Sequence, residues 1–156
     1  MVPLSILLCG KGECYMPDRE QVGKIAREWV EKAENDLTNA AHTLKLGERC
    51  PTDTVCFHAQ QCAEKYLKAI LVWKEIGFPK THNISELMAL LPVRVRPPLE
   101  DREQDNLTEY ATVMRYPGDY DPIPISEARK SVASARLVRS FARRVLPGEV
   151  LRRKKR

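Results

Sequence analysis

Residues 56–69 read Cys56-Phe57-His58-Ala59-Gln60-Gln61-Cys62-Ala63-Glu64-Lys65-Tyr66-Leu67-Lys68-Ala69, and the spacing of their apolar members decides the fold. With Val55 before the run and Ile70 and Leu71 after it, Ala59, Cys62, Ala63, Tyr66 and Leu67 recur three and four residues apart, the repeat of one helix face. Phe57 and Trp73 widen that face, so this helix is expected at the centre of its domain. Thr52 or Asp53 offers an N-cap, and Gly77 and Pro79 offer an end. Gln60, Glu64 and Lys68 form an i, i+4, i+8 row, with Glu64 and Lys68 in the favourable order for an ion pair. Such a row suits a solvated face, a dimer contact or the border of a pocket.

Working outward, a first long helix is expected from about Asp18 to Leu46. Ala26, Trp29, Val30, Ala33, Leu37, Ala40, Ala41 and Leu44 make one apolar stripe there, and Gly47 and Pro51 close it. After Lys80-Thr81-His82, Asn83 can cap a short helix reaching Leu91. Residues 93–98, broken by prolines, read as a connection. A helix from about Leu99 to Met114 follows, carrying Leu107, Tyr110, Ala111 and Met114 on one side. Residues 115–124 contain Pro, Gly and Asp and read as a loop. Ser126 then starts a last helix that buries Ala128, Val132, Ala135, Val138, Ala142 and Val145 and stops at Pro147-Gly148. No strand-like alternation occurs. The expected fold is all-α, an antiparallel up-and-down four-helix bundle with one extra short helix.

With 156 residues, the chain has room for one such domain, bounded here at 18–147, between an N-terminal extension (1–17) and a basic tail (148–156). Residues 1–15 read as preceding the true start, with Met16-Pro17-Asp18 opening the working chain. Leu4 to Cys9 is too short for a signal sequence and lacks a basic flank. No stretch approaches the roughly 18 apolar residues of a membrane span. Five cysteines, an odd number without regular spacing, give no disulfide framework, so a reducing, cytoplasmic setting is expected. No Cys-x-x-Cys or His-rich group has metal-ligand spacing, and Gly10-Lys11-Gly12 lacks the spacing of a P-loop. His42 and His58 have no partner motif. The net charge of +5 divides into +9 over residues 127–156 and −4 over the rest. That basic end suits an anionic partner such as RNA, or serves only to keep the chain soluble.

Several pieces, in order, resemble the HEPN family, named for nucleotide-binding domains of higher eukaryotes and prokaryotes. Trp29 to Ala41 is similar to the family's opening helix. Phe57-His58-Ala59-Gln60-Gln61-Cys62-Ala63-Glu64-Lys65-Tyr66-Leu67-Lys68 is the most specific match. Pro79-Lys80-Thr81-His82-Asn83-Ile84 and Arg115-Tyr116-Pro117 match two family loops, so the resemblance spans roughly residues 24–146. It implies a bundle that forms homodimers, in prokaryotes often beside a small nucleotidyltransferase on a separate chain, sometimes as a toxin–antitoxin pair. Other branches are metal-independent ribonucleases.

The resemblance places nucleotide or phosphate binding at Arg115, Tyr116, Tyr120, His82 and Lys80, with Gln60, Glu64 and Lys68 bordering the pocket. Arg115 can grip a phosphate with both edges of its guanidinium, and the tyrosines offer ring faces and hydroxyls. His82 can contact phosphate or move a proton. Ribonuclease branches follow the Arg with a His four to six residues on. Here position 120 is Tyr, and no His follows His82. A phenol titrating near ~10 is a poor base at neutral pH. The catalytic residue is therefore unassigned. The leading expectation is a nucleotide- or substrate-binding accessory domain with no cofactor of its own. The alternatives are a ribonuclease using Arg115 with Tyr120 or His82, its basic last helix tracking RNA, and a protein-interaction module without a ligand.

Overall fold

The computed structural model describes residues 18–113 and 121–152. The described residues form α1 (Arg19–Leu44), α2 (Thr52–Trp73), α3 (Ile84–Leu90), α4 (Asp101–Val113), α5 (Ile125–Val145) and a terminal turn α6 (Gly148–Leu151), with no strand among them. Four long helices, α1, α2, α4 and α5, make the up-and-down antiparallel bundle, and α3 is its extra short helix, set in the segment between α2 and α4.

α2 is the central helix. Fourteen of its 22 residues are buried, and it packs most extensively on α1, then on α5 and α4. Small residues make this close approach feasible: Ala26, Ala33 and Ala40 of α1 and Ala59 and Ala63 of α2 are fully buried. Val55, Leu67, Ile70 and Leu71 fill the space between them, with Val132 and Val138 of α5 and Leu87 of α3. Trp29, Leu44, Phe57 and Trp73 are only partly covered, and Ala41 also lies at the edge of its stripe.

The ends follow local chemistry. Asp18 caps α1 by accepting from the Gln21 N–H at 2.8 Å, and Asn83 caps α3 by accepting from the Glu86 N–H at 3.0 Å. Gly47, at φ 60°, turns the chain after α1. α2 begins one residue earlier than its side chains suggest. Pro51 occupies the N-cap position without a side-chain cap, Thr52 is already helical, and Asp53 accepts from the Thr54 N–H at 2.8 Å. A carboxylate in the first turn suits the helix dipole as well as a cap would. α2 also ends before Gly77. Glu75 takes the left-handed conformation (φ 57°), sending the Ile76 N–H to Leu71 O and its own N–H to Val72 O. That pattern normally uses glycine. Here Arg19 braces Glu75 at 3.0 Å while lying 3.5 Å over the Trp73 ring.

The chain continues in ordered form past Pro147. α6 lies on α1, where Val150 is fully buried and Arg27 Nε donates to Glu149 O at 2.9 Å. No helix of the described residues is long and apolar enough to cross a membrane.

Candidate ligand-binding site

The Gln60–Glu64–Lys68 row of α2 faces inward, not toward solvent. Gln60 is 0% exposed, and the Glu64 and Lys68 side chains are 3% and 8% exposed. A buried ammonium and carboxylate are tolerable only when every lone pair and proton finds a partner. Lys68 Nζ donates to Glu64 Oε1 at 2.7 Å and to Thr81 O at 2.9 Å. Gln60 Nε2 donates to Glu64 Oε2 at 2.8 Å and to His82 O at 3.2 Å, while Gln61 Nε2 donates to Gln60 Oε1 at 2.7 Å. The ring Nδ1 of His82 lies 3.1 Å from Glu64 Oε2.

The row thus holds the loop after α2 by its backbone carbonyls. Thr81 tightens the same loop, its Oγ1 accepting from the Asn83 N–H at 3.1 Å. Asn83 then starts α3, whose first N–H is taken by Thr108 Oγ1 of α4 at 3.0 Å. Burial is the largest influence on Glu64 and opposes its ionisation. The hydrogen bond and charge of Lys68, then the bonds from Gln60 and His82, outweigh it and hold the carboxyl below its ordinary range.

Above this network lies a cleft of about 290 Å³ lined by Trp29, Lys68, Phe78, Pro79, Lys80, Thr81 and His82. Trp29 comes from α1, and Phe78 is buried between Gly77 and Pro79. Lys68 Nζ sits 5.5 Å from the Trp29 ring centroid and 5.7 Å from that of Phe78, so the ammonium is shared between two π faces and Glu64. The partly exposed Trp29, with Lys80 and the half-exposed His82 at the rim, suits a flat ring carrying an anionic group.

Of the residues singled out from sequence, His82, Lys80 and Lys68 line this cleft, and Gln60 and Glu64 lie in the network that shapes it. Arg115, Tyr116 and Tyr120 lie outside the described residues. Sequence reasoning missed Trp29 and Phe78. Periodicity places Trp29 in the core stripe, although a large ring at the margin of such a stripe can also wall a cleft. His58, which has no partner motif in sequence, is paired in three dimensions. Its Nδ1 lies 2.9 Å from Asp36 Oδ1, and Lys65 donates to the other oxygen, tying α1 to α2. Cys56 lies within 3.6 Å of Ser131 Oγ, and burial foremost pushes its thiol up to about 11, which leaves it a poor nucleophile. Among the described residues no three His, Cys, Asp or Glu side chains come together in a way that could hold a metal ion.

Comparison with known proteins agrees with this architecture. The family model of the HEPN domain matches residues 26–145. TT1696 from Thermus thermophilus is similar in structure, with a TM-score of 0.63 and 28% identity over 78% of this chain and 98% of that one. ST0689, an archaeal HEPN homologue, superposes with a TM-score of 0.59 at 26% identity, with the same coverage of both chains. No curated protein gives a significant match. With most of its length matched by one family model and its bundle shared with a HEPN homologue, the chain belongs to the HEPN domain family.

Proposed function

We propose that this HEPN domain binds a nucleotide or a related substrate and works, as a homodimer, beside a separate nucleotidyltransferase chain. In that arrangement the partner carries the metal and the phosphoryl chemistry, and this chain presents the ligand. The pair could serve as a toxin and its antitoxin. The observation that carries the binding reading is the cleft between Trp29 and Phe78, floored by the Glu64–Lys68 pair and rimmed by Lys80 and His82. A base or similar ring stacks on the partly exposed Trp29, and a phosphate reaches the rim, where Lys80 supplies a point charge. The polar floor is already satisfied within the chain, so it holds the loop in shape before any ligand arrives.

The chain has two tryptophans, and in a Trp73→Phe background Trp29 becomes the sole reporter of the cleft. Titration with a panel of nucleotides is expected to quench its fluorescence for the correct ligand. At about 100 times the dissociation constant the ligand also adds roughly 2.7 kcal/mol of stability. Lys80→Ala should weaken both responses. No quenching and no stabilisation by any nucleotide would refute this reading and favour a module that binds only a partner protein.

A further inference from the structure

A second cleft, also about 290 Å³, shares no lining residue with the first. It lies between Glu34 and Thr38 of α1, Arg139 and Arg143 of α5, and Val150 and Arg152 at the chain's terminal turn. Its organising group is the Glu34 carboxylate, whose Oε1 accepts from the Tyr66 hydroxyl, from Arg139 Nε at 2.8 Å and from Arg143 Nη1 at 3.4 Å. Residues 32 and 105 positions away in sequence are thereby tied to α1.

This arrangement does more than tie helices. Arg139 engages Glu34 through Nε, so among the described residues its two Nη groups have no hydrogen-bond acceptor. The ion pair fixes the plane of that guanidinium, and Arg143 stands one helical turn further on. Arg139 balances Glu34. Arg143 shares that carboxylate, and among the described residues the three cations of the cleft, Arg139, Arg143 and Arg152, outnumber its two carboxylates, Glu31 and Glu34, and leave a net positive field. The buried Val30 and Val150 form apolar walls that strengthen that field.

We propose that this cleft is an oxyanion site, taking the phosphate of a phosphorylated ligand on Arg139, Arg143 and Arg152. The same chemistry is offered by a small phosphate ester and by the backbone of a nucleic-acid strand. Arg129, Arg136 and Arg143 lie seven residues apart on one exposed face of α5, about 10.5 Å per step, so a strand seated in the cleft would have a cationic track to follow.

The test begins with inorganic phosphate, titrated against the full chain by thermal unfolding, with chloride at matched ionic strength as the reference. Phosphate is expected to raise Tm above chloride. Arg143→Gln with Arg152→Gln, both at exposed positions, should weaken that response about tenfold or more, as expected for loss of two charge-assisted contacts, with unchanged far-UV circular dichroism. Lys45→Gln, an exposed charge outside both clefts, should leave the response intact, and the Arg143→Gln/Arg152→Gln variant should keep the quenching of Trp29 by nucleotide, so failure here and failure of the nucleotide reading are separable. A short single-stranded oligonucleotide is titrated in parallel. Weakened strand binding and a shallower salt dependence in Arg129→Gln/Arg136→Gln support the site with a strand as its source. Indifference to those two changes supports it with a small ester as its source. No gain over chloride, or an equal gain in the Arg143→Gln/Arg152→Gln variant, overturns the proposal.

Discussion

Replacing Glu64 by Met tests whether the network beneath the first cleft is a desolvated ion pair. Glu64 Oε1 and Lys68 Nζ are 2.7 Å apart, and both side chains are at least nine-tenths buried. At an effective dielectric constant of about 20, their attraction is on the order of 6 kcal/mol, but removing two ions from water costs several kcal/mol each. The pair as a whole is therefore close to neutral in stability. Its halves are not. Glu64→Met leaves the ammonium with Thr81 O and two ring faces, and an unpaired buried charge costs about 3–5 kcal/mol. For a domain of this size that lowers Tm by on the order of 10 °C. Glu64→Met/Lys68→Met removes both charges while keeping the volume, but leaves Thr81 O without its donor, so it should lie about 1–3 kcal/mol below the parent and above Glu64→Met alone. Urea and thermal unfolding of the parent, both single variants and the double variant close a mutant cycle. If Glu64→Met alone lies within about 1 kcal/mol of the parent, the ammonium is solvated and the reasoning fails.

Two further predictions rest on titration and burial. Glu34 and Glu64 are both held below the ordinary value of 4.5 despite burial, Glu34 by Tyr66, Arg139 and Arg143, and Glu64 chiefly by Lys68. A depressed folded value means stability that is present above the unfolded value and lost as pH falls through the folded one. Urea midpoints should therefore drop below about pH 5, and Glu34→Gln should flatten that drop; a midpoint constant through this range contradicts the assignment. Burial foremost pushes the Cys56 thiol up to about 11 and Cys62 further still, so neither should react with an alkylating reagent at neutral pH until the chain is unfolded. Peptide mapping before and after denaturation reads this directly, and native labelling of Cys56 at the rate of a free thiol would contradict it.

Much of the bundle is written in local periodicity. Apolar residues three and four apart mark α1, α2, α4 and α5, and Asn83 marks the start of α3, where its side chain accepts from the Glu86 N–H. The α2 run also carries the family resemblance that the whole-domain comparison bears out. The exceptions occur where a distant residue overrides a local preference. Glu75 takes a glycine-like conformation at the end of α2 while Arg19, 56 positions earlier, pairs with its carboxylate. Val150 is buried because α1 offers it a surface, so the chain keeps its order beyond the Pro147-Gly148 stop.

Site residues were legible as types and positions, but not as an assembly. A Gln–Glu–Lys row at i, i+4, i+8 has the same spacing on a wet face as on a buried one. Only the carbonyls of Thr81 and His82, brought over it by the loop after α2, make the buried version affordable. The convergence of Trp29 and Phe78 on Lys68, and the pairing of Glu34 with Arg139, join residues far apart in sequence. Periodicity determines which residues share a face. What that face meets depends on how the helices pack, because burial and pairing energies belong to the contact and not to either residue alone.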